Sequence, residues 1–206
     1  MAGVVKSPPQ RRRREETRER LLEAATSVFA RSGFDRATVD EIVREAGFSK
    51  GAFYVHFETK DDLFWAMLEE RISRQQQAFR HAVDHSRPVA DNLRTILSAV
   101  FGLLRDDPLW GPMLMEFAAH AARNEKVRER LAMMYESWRE LIVDILSAGR
   151  EVGRIRGDLD LQFCATVMIA TVEGSIIQSR LAPETVRLEE LVDPLTRTLS
   201  DWLAPD

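Results

Sequence analysis

Apolar residues recur at intervals of three and four along almost the whole chain, whereas the alternating pattern typical of β-strands is nearly absent. In segment 15–32, one apolar stripe consists of Leu21, Leu22, Ala25, Val28 and Phe29. Gly33 follows this stripe at a position where a helix is expected to end. The pattern predicts about nine helices and no internal repeat, so the fold class is predicted to be all-α.

Two short helices are predicted on either side of Gly47. Thr38 opens the sequence Thr-Val-Asp-Glu, a capping box in which the hydroxyl accepts a backbone N–H and the glutamate reaches back. Ser49 is placed to cap the second helix in the same way. The segments 39–46 and 50–56 therefore have the size and the turn of a helix-turn-helix, whose second helix presents its N-terminal residues to base edges in the major groove.

Small and polar residues surround this second helix. Gly51 and Ala52 would let it approach the bases closely. The candidate phosphate donors are Thr38, Ser49, Lys50, Tyr54, His56 and Lys60. Phosphate contacts set register and affinity, while base contacts set sequence preference. Short capped helices also occur in ordinary bundles, and Lys50 and Lys60 taken alone are equally compatible with solvated surface charges.

The combination of these residues carries a resemblance to a known family. The segment Thr38–Leu63, with the sequence TVDEIVREAGFSKGAFYVHFETKDDL, strongly resembles the TetR family of bacterial repressors. The resemblance covers about residues 15–65, because Ala25, Phe29 and the Gly33-Phe34 pair also fit. It implies a three-helix DNA-binding domain, a long fourth helix as linker, and a C-terminal helical domain that dimerises and binds a small molecule.

The resemblance also implies roles for individual residues. The positions that commonly contact DNA in that family correspond here to Thr38, Ser49, Lys50, Tyr54, His56 and Lys60. Val55 departs from the family pattern, in which a polar or aromatic residue is common at this position. A valine could instead contact a thymine methyl group.

Charge is distributed unevenly along the chain. Residues 1–57 contain 11 Lys and Arg against 8 Asp and Glu, whereas residues 58–206 contain 18 against 25. A basic head on an acidic body confines nucleic-acid contacts to the N-terminal quarter and argues against a sequence-blind DNA-coating protein. Arg11 to Arg14 form a basic run that is either a DNA-contacting arm or a solvated terminus.

We therefore predict three regions. Residues 1–14 form a flexible basic arm, residues 15–60 the helix-turn-helix domain, and residues 61–206 an effector-binding and dimerisation domain. The segments 160–181 and 187–203 are the natural dimer surface, because the first is apolar on nearly every face. The candidate interface residues are Phe163, Val167, Ile176, Leu191, Leu195 and Trp202. The alternative is that these helices pack within one subunit.

An effector pocket is predicted among the helices between residues 88 and 152. Methionine and aromatic side chains suit an apolar or flat ligand, although at helical spacing they are more often plain core. The candidate contacts are Phe101, Trp110, Met113, Phe117, Met134 and Trp138, with His120 and Glu173 as polar anchors.

Other classes of protein find little support in the sequence. The single cysteine, Cys164, excludes a cysteine-rich zinc site, and no glycine-rich phosphate loop is present. His81 and His85 stand one helical turn apart but lack further metal ligands. We predict no catalytic residue, metal or cofactor. There is no apparent secretory signal and no uncharged apolar run of about 18 residues, so we expect a cytoplasmic protein with no membrane partner.

Taken together, the sequence predicts a sequence-specific transcriptional regulator. The simplest form is a ligand-released repressor that binds double-stranded DNA at a palindromic operator as a homodimer. An activator would use the same parts.

Overall fold

The computed structural model describes residues 9–107 and 110–205. Within these residues the secondary structure is entirely helical, as predicted. The helices are α1 (Pro9–Ser32), α2 (Val39–Ala46), α3 (Lys50–Tyr54), α4 (Lys60–Ala82), α5 (Val89–Asp106), α6 (Trp110–Ala121), α7 (Glu125–Glu151), α8 (Leu161–Leu181) and α9 (Leu188–Leu203). The predicted all-α fold class is confirmed.

The chain divides into two compact units. The first, which we call the head unit, runs up to Ile72 and also includes Met113–His120 from α6. The second, the body unit, contains Ser73–Pro112 and the chain from Ala121 onward. The expected boundary at residue 60 thus differs from the division in the structure. The chain enters the head unit twice, because a segment of α6 packs there with α1–α4.

An aromatic cluster forms the centre of the head unit. Phe34 and Phe117 meet edge to face with ring centroids 5.3 Å apart, and Phe64 stacks on Phe117 at 4.2 Å. Phe29 and Trp65 complete the cluster. Phe117 has no exposed surface. Its ring packs among the other aromatic rings of the head, and its predicted role as an effector contact stays a prediction.

The predicted flexible arm also differs from the structure. α1 already begins at Pro9, so Arg11 to Arg14 are helical, and only residues 1–8 of the predicted arm lie outside the described residues. Arg11 and Arg12 each form an ion pair with a glutamate four residues later, Glu15 and Glu16 respectively. Pairs at this spacing support a helix, which accounts for the order of this segment.

The body unit has its own core, in which α5 packs on α9 and α7 on α8. Its buried residues are Leu93, Leu146, Ile155, Cys164, Leu199 and Leu203. Cys164 is fully buried, and burial raises the pKa of its thiol. The cysteine therefore acts as a small core residue rather than a nucleophile.

One body helix has an unusual surface. α8 is long and apolar enough to cross a membrane by length and composition alone, and only 11% of its most apolar window is buried within the chain. A single such helix is weak support for a membrane span. The observation that matters is that α8 leaves much apolar surface uncovered within one subunit.

We predict that Phe117→Ala destabilises the protein by about 3–5 kcal/mol, because it opens a cavity at the centre of the aromatic cluster. Urea unfolding followed by circular dichroism measures this loss. The control is Met133→Ala on α7, since Met133 is 71% exposed and its truncation is expected to change stability by less than about 0.5 kcal/mol. Equal effects of the two variants would contradict the packing described.

Candidate nucleic-acid interface

α3 presents two large apolar side chains to solvent. The side chain of Tyr54 is 57% exposed and that of Val55 59%, whereas the side chain of Phe53, directly before them, is fully buried. The aromatic ring of Phe53 lies 5.4 Å from that of Tyr54 and anchors the helix to the head. Exposure of two bulky residues on one short element indicates a contact surface, because a folded head gains nothing from leaving them in water.

The cap of α2 forms as the sequence predicts. The Thr38 hydroxyl accepts the backbone N–H of Glu41 at 3.2 Å and donates to the Glu41 carboxylate at 2.9 Å. The same carboxylate accepts the backbone N–H of Thr38 at 2.9 Å, and these hydrogen bonds lower the pKa of Glu41. The predicted phosphate donor Thr38 therefore has its hydroxyl proton already committed.

Ser49 is placed differently. Its hydroxyl oxygen accepts the backbone N–H of Ala52 at 3.3 Å and so caps α3. Because the hydroxyl oxygen is the acceptor in this contact, the contact does not use the hydroxyl proton of Ser49. The side chain is exposed. Of the two capping hydroxyls, Ser49 is the one that can still donate to a phosphate oxygen.

The ammonium of Lys50 is held by a carboxylate of α2. Its Nζ lies 2.9 Å from Oδ2 of Asp40, and this hydrogen bond raises the pKa of Lys50. Both side chains are more than half exposed, so solvent screens the pair and it adds little to stability. Asp40 thus orients Lys50 at the start of α3, and Lys50 can still exchange Asp40 for another partner.

Gly51 has no structural reason to be a glycine. Its backbone is not in the left-handed region, and an added Cβ would meet nothing closer than the Ser49 hydroxyl at 3.6 Å, an ordinary contact. A glycine inside a helix costs about 0.5–1 kcal/mol relative to alanine. The missing side chain leaves room for the close approach of a partner at this position.

Basic residues of α1 support the far end of α3. The Arg14 guanidinium donates to the carbonyl of Val55 at 3.2 Å, and Arg18 lies over the ring of Phe57 at 5.8 Å. Burial lowers the pKa of the half-buried His56, and Arg14 and Arg18 lower it further. The ring N–H of this imidazole can donate one hydrogen bond.

Another arginine of α1 holds the turn of the motif. The Arg20 guanidinium donates to the carbonyl of Ala46 at 2.8 Å and lies over the ring of Phe48 at 4.8 Å. It thereby fixes the C-terminal end of α2. The sequence does not show that Arg14 of the run Arg11 to Arg14, or Arg18 and Arg20 further along α1, contact the motif, because a solvated arginine and an engaged one look the same in sequence.

The ammonium of Lys60 is engaged within the head unit. It donates to three main-chain carbonyls, those of Phe34 at 2.6 Å, Asp35 at 3.2 Å and Ala37 at 3.0 Å. It also lies over the ring of Phe34 at 4.5 Å, and burial lowers its pKa. The predicted phosphate contact at Lys60 stays a prediction. Lys60 fixes the connection between α1 and α2.

Three predicted effector contacts, Met113, Phe117 and His120, belong to the head unit. His120 places Nε2 3.2 Å from the carboxylate of Asp61 at the start of α4, and Phe117 lies in the aromatic cluster. The predicted role of His120 as a ligand anchor stays a prediction. The side chains of Trp110 and Met113 lie outside the described residues.

The remaining effector candidates lie in the body unit. Phe101 is buried, whereas Met134 and Trp138 of α7 are half-buried. The Trp138 ring lies 5.6 Å from that of Phe79 on α4. Each of these residues is compatible with core packing, so a pocket among them stays a prediction.

Glu173 of α8 is the most distinctive of these candidates. Its carboxylate accepts the hydroxyl of Tyr135 on α7, a partner that the sequence pattern does not reveal. Burial raises the pKa of Glu173, and burial also raises the pKa of Tyr135. The pair places a polar group between two helices in a largely apolar unit.

The predicted dimer residues divide into two groups. Phe163 is 60% exposed, and its ring lies 6.4 Å from that of the half-buried Trp202. Val167, Ile176, Leu191 and Leu195 are all half-buried. On α8 Ile177 is exposed whereas the predicted Ile176 is half-buried, because one position turns a helix by about 100°.

A metal site finds no support among the described residues. They contain no group of three or more His, Cys, Asp or Glu side chains that could hold an ion.

Comparisons with known proteins agree on one family. Residues 21–67 match the family described as bacterial regulatory proteins of the tetR family, and residues 89–204 match the C-terminal domain of BetI-type transcriptional repressors. The HTH-type transcriptional repressor DhaR of Mycobacterium sp. (strain GP1) is 27% identical over 181 residues, which cover 87% of this chain and 90% of that protein. An uncharacterised HTH-type transcriptional regulator of Mycobacterium tuberculosis (strain ATCC 25618 / H37Rv) is 30% identical over 198 residues, with 94% and 98% covered.

Solved structures share the same fold. Salmonella enterica GusR superposes with a TM-score of 0.78 and 26% identity, covering 91% of this chain and 95% of that one. A complex of SmeT with triclosan gives a TM-score of 0.74 and 25% identity, covering 89% and 90%.

We predict that Gly51→Ala acts in opposite directions on stability and on DNA binding. Alanine is expected to stabilise α3 by about 0.5–1 kcal/mol and to weaken duplex binding by at least about tenfold, since its methyl group would intrude on the bases. Thermal unfolding and fluorescence anisotropy measure the two effects. The control is Gly102→Ala in α5, where the added Cβ would meet nothing closer than 3.9 Å and DNA binding should not change. Unaltered affinity of the Gly51 variant would contradict close approach at this position.

Proposed function

The chain belongs to the TetR family of bacterial regulatory proteins, and from this premise we propose that it is a ligand-released repressor that binds a palindromic operator as a homodimer. The helix-turn-helix of the family implies DNA binding. The observation that carries the proposal is the surface of α3, where Lys50, Tyr54 and Val55 are exposed beside a glycine that the fold does not require. Relatives named as repressors, such as DhaR, support repression rather than activation.

In the proposed complex, α3 enters the major groove with Gly51 and Ala52 against the base edges. Lys50 leaves Asp40 for a phosphate or a guanine, and Ser49 donates to a phosphate. Val55 contacts a thymine methyl group, which supplies sequence preference without a hydrogen bond. Thr38 and Lys60 act indirectly, since their polar groups hold the α1–α2 connection and the start of α2 in place.

A single helix-turn-helix reads only a few base pairs, so two copies are needed for useful affinity. The exposed face of α8 is suited to meet a second copy. Phe163, Ile177 and Leu181 lie on one side of this helix, and a Cβ added to Gly174 on the same side would meet nothing within 4 Å. A small residue within an apolar stripe permits close helix crossing, and an isologous pairing of α8 and α9 would make a four-helix bundle.

Release by a small molecule follows from linkage. A ligand that binds better to the conformation with wrongly spaced heads weakens DNA binding by that difference in affinity, typically about 1–3 kcal/mol. The body unit offers Trp138, Met134 and Phe101 for an apolar or aromatic ligand, with Glu173 as the polar anchor. SmeT, which is 25% identical, was solved with triclosan, which supports a small organic effector for this chain.

The same comparisons bear on the rival classes. Both relatives described above are named as regulators of transcription, which favours a binding protein over an enzyme. We propose that the protein works in the cytoplasm, where its duplex partner is found, and that the apolar face of α8 meets protein rather than lipid.

We predict that Lys50→Ala combined with Tyr54→Ala weakens operator binding by about 100-fold, because two contacts of about 1.4 kcal/mol each are removed. The operator is obtained by selection from random duplexes with the wild-type protein. The logarithmic salt dependence of binding should also become shallower by about 0.9 for the lost ammonium. Lys126→Ala, an exposed lysine of α7, is the control for loss of charge. Unchanged affinity of the double variant would refute the proposed interface.

We predict that Ile177→Glu turns the dimer into a monomer, because symmetry places two buried carboxylates in one interface. Sedimentation should show a dissociation constant at least about 100-fold higher than for the wild type. Operator affinity should fall with it. The matched control is Met133→Glu, which adds the same charge at an exposed position on α7. A wild-type protein that sediments as a monomer would exclude the dimer outright.

A further inference from the structure

The two helices that precede α3 end in different ways, although each is followed by a glycine in the left-handed conformation. After α2, Gly47 has φ 72°, its N–H donates to Arg44 O at 3.2 Å, and the N–H of Phe48 donates to Val43 O at 2.8 Å. This is a complete Schellman motif, in which both N–H groups after the helix find backbone acceptors. The end of α2 therefore needs no help from elsewhere.

The end of α1 lacks the second of these bonds. Gly33 has φ 77° and its N–H donates to Phe29 O at 2.8 Å. The N–H of Phe34 instead donates to Oε2 of Glu116 on α6 at 2.6 Å. A carboxylate that is 82 residues away in the chain thus takes the place of the missing helix carbonyl. Such a charge-assisted bond is stronger than one between neutral groups.

The same peptide is held from its other side. The carbonyl of Phe34 accepts from the Lys60 ammonium at 2.6 Å, and the carbonyl of Ala37 accepts from it at 3.0 Å. Ala37 is the residue before Thr38, the N-cap of α2. Glu116 and Lys60 therefore fix the connection from the end of α1 to the first residue of α2.

The connection has one backbone hydrogen bond of its own, from the Ala37 N–H to the Gly33 carbonyl at 3.2 Å, whereas the Phe34 N–H donates to Glu116. A Cβ at Gly33 would lie 3.0 Å from both carboxylate oxygens, so the glycine provides the room in which Glu116 sits. The neighbouring Phe117 is fully buried in the aromatic cluster and fixes the position of this segment of α6 in the head unit. Phe117 and Glu116 together form a docked end of α6, which lies outside the residues 21–67 that match the DNA-binding family.

We propose that Glu116 is a positioning residue for DNA binding, which holds the α1–α2 connection and thereby the orientation of α2 and α3. This inference rests on the proposed function. The path is short: the connection places Thr38 and the start of α2, α2 carries Asp40, and Asp40 orients the Lys50 ammonium on α3. Loss of the carboxylate frees the Phe34 N–H and lets the start of α2 move while the helices themselves persist.

The test compares Glu116→Ala and Glu116→Gln in the full-length protein. Affinity is measured for the duplex selected with the wild type, under conditions where circular dichroism shows each variant to be folded. Removing a negative charge should by itself favour binding to a polyanion. We expect the opposite for Glu116→Ala, whose affinity for the duplex should fall by at least about tenfold. The affinity of Glu116→Gln should stay within about threefold of wild type, because an amide oxygen still accepts the Phe34 N–H.

The control is Glu140→Ala on the exposed side of α7, which removes the same charge and should bind as tightly as wild type or slightly more so. Hydrogen exchange gives an independent readout: the amide of Phe34 should lose protection in Glu116→Ala while that of Phe48 keeps it.

Wild-type affinity of Glu116→Ala with an unprotected Phe34 amide would overturn this inference alone. Equal losses for the alanine and glutamine variants would also overturn it, since the hydrogen-bond acceptor would then be irrelevant. A wild-type protein that selects no duplex would instead remove the proposed function, and this inference with it.

Discussion

The contact of Phe117 with Phe34 and Phe64 is the interaction on which the head unit depends. A three-helix unit of about fifty residues buries little apolar surface of its own, and here a ring from a distant segment fills its centre. The contact also brings Glu116 and His120 to the α1–α2 connection and the start of α4. The surface that we propose for DNA binding is thus held by packing that does not belong to the helix-turn-helix itself.

The local features of this surface could be predicted from the sequence. Capping boxes, helix-ending glycines and apolar stripes depend on residues within four positions of one another, and Thr38, Gly47 and Ser49 all behave as predicted. The contacts of Phe117, His120 and Lys60 could not be predicted in the same way. Each joins residues more than 20 positions apart, and a buried phenylalanine on an amphipathic helix carries no sign of which unit it enters.

The body unit shows a second limit of sequence reasoning. α8 is predicted to be a contact helix because it is apolar on nearly every side, and it does leave much of that surface uncovered. A uniformly apolar helix has no polar face to fix its rotation, so the pattern favours Ile176 where Ile177 is the exposed residue. The Tyr135–Glu173 hydrogen bond could not be predicted either, because a tyrosine among apolar residues is interpreted as a core residue.

The ion pair between Asp40 and Lys50 has a kinetic consequence. If Lys50 contacts DNA as proposed, the ammonium must exchange its contact with an internal carboxylate, or share it with the duplex, at every encounter. The free energy needed to break this ion pair is the same for all DNA sequences. It therefore shortens the time that the protein stays on random DNA, where few other contacts offset it. A regulator built in this way would scan a chromosome faster than one whose lysine stood free.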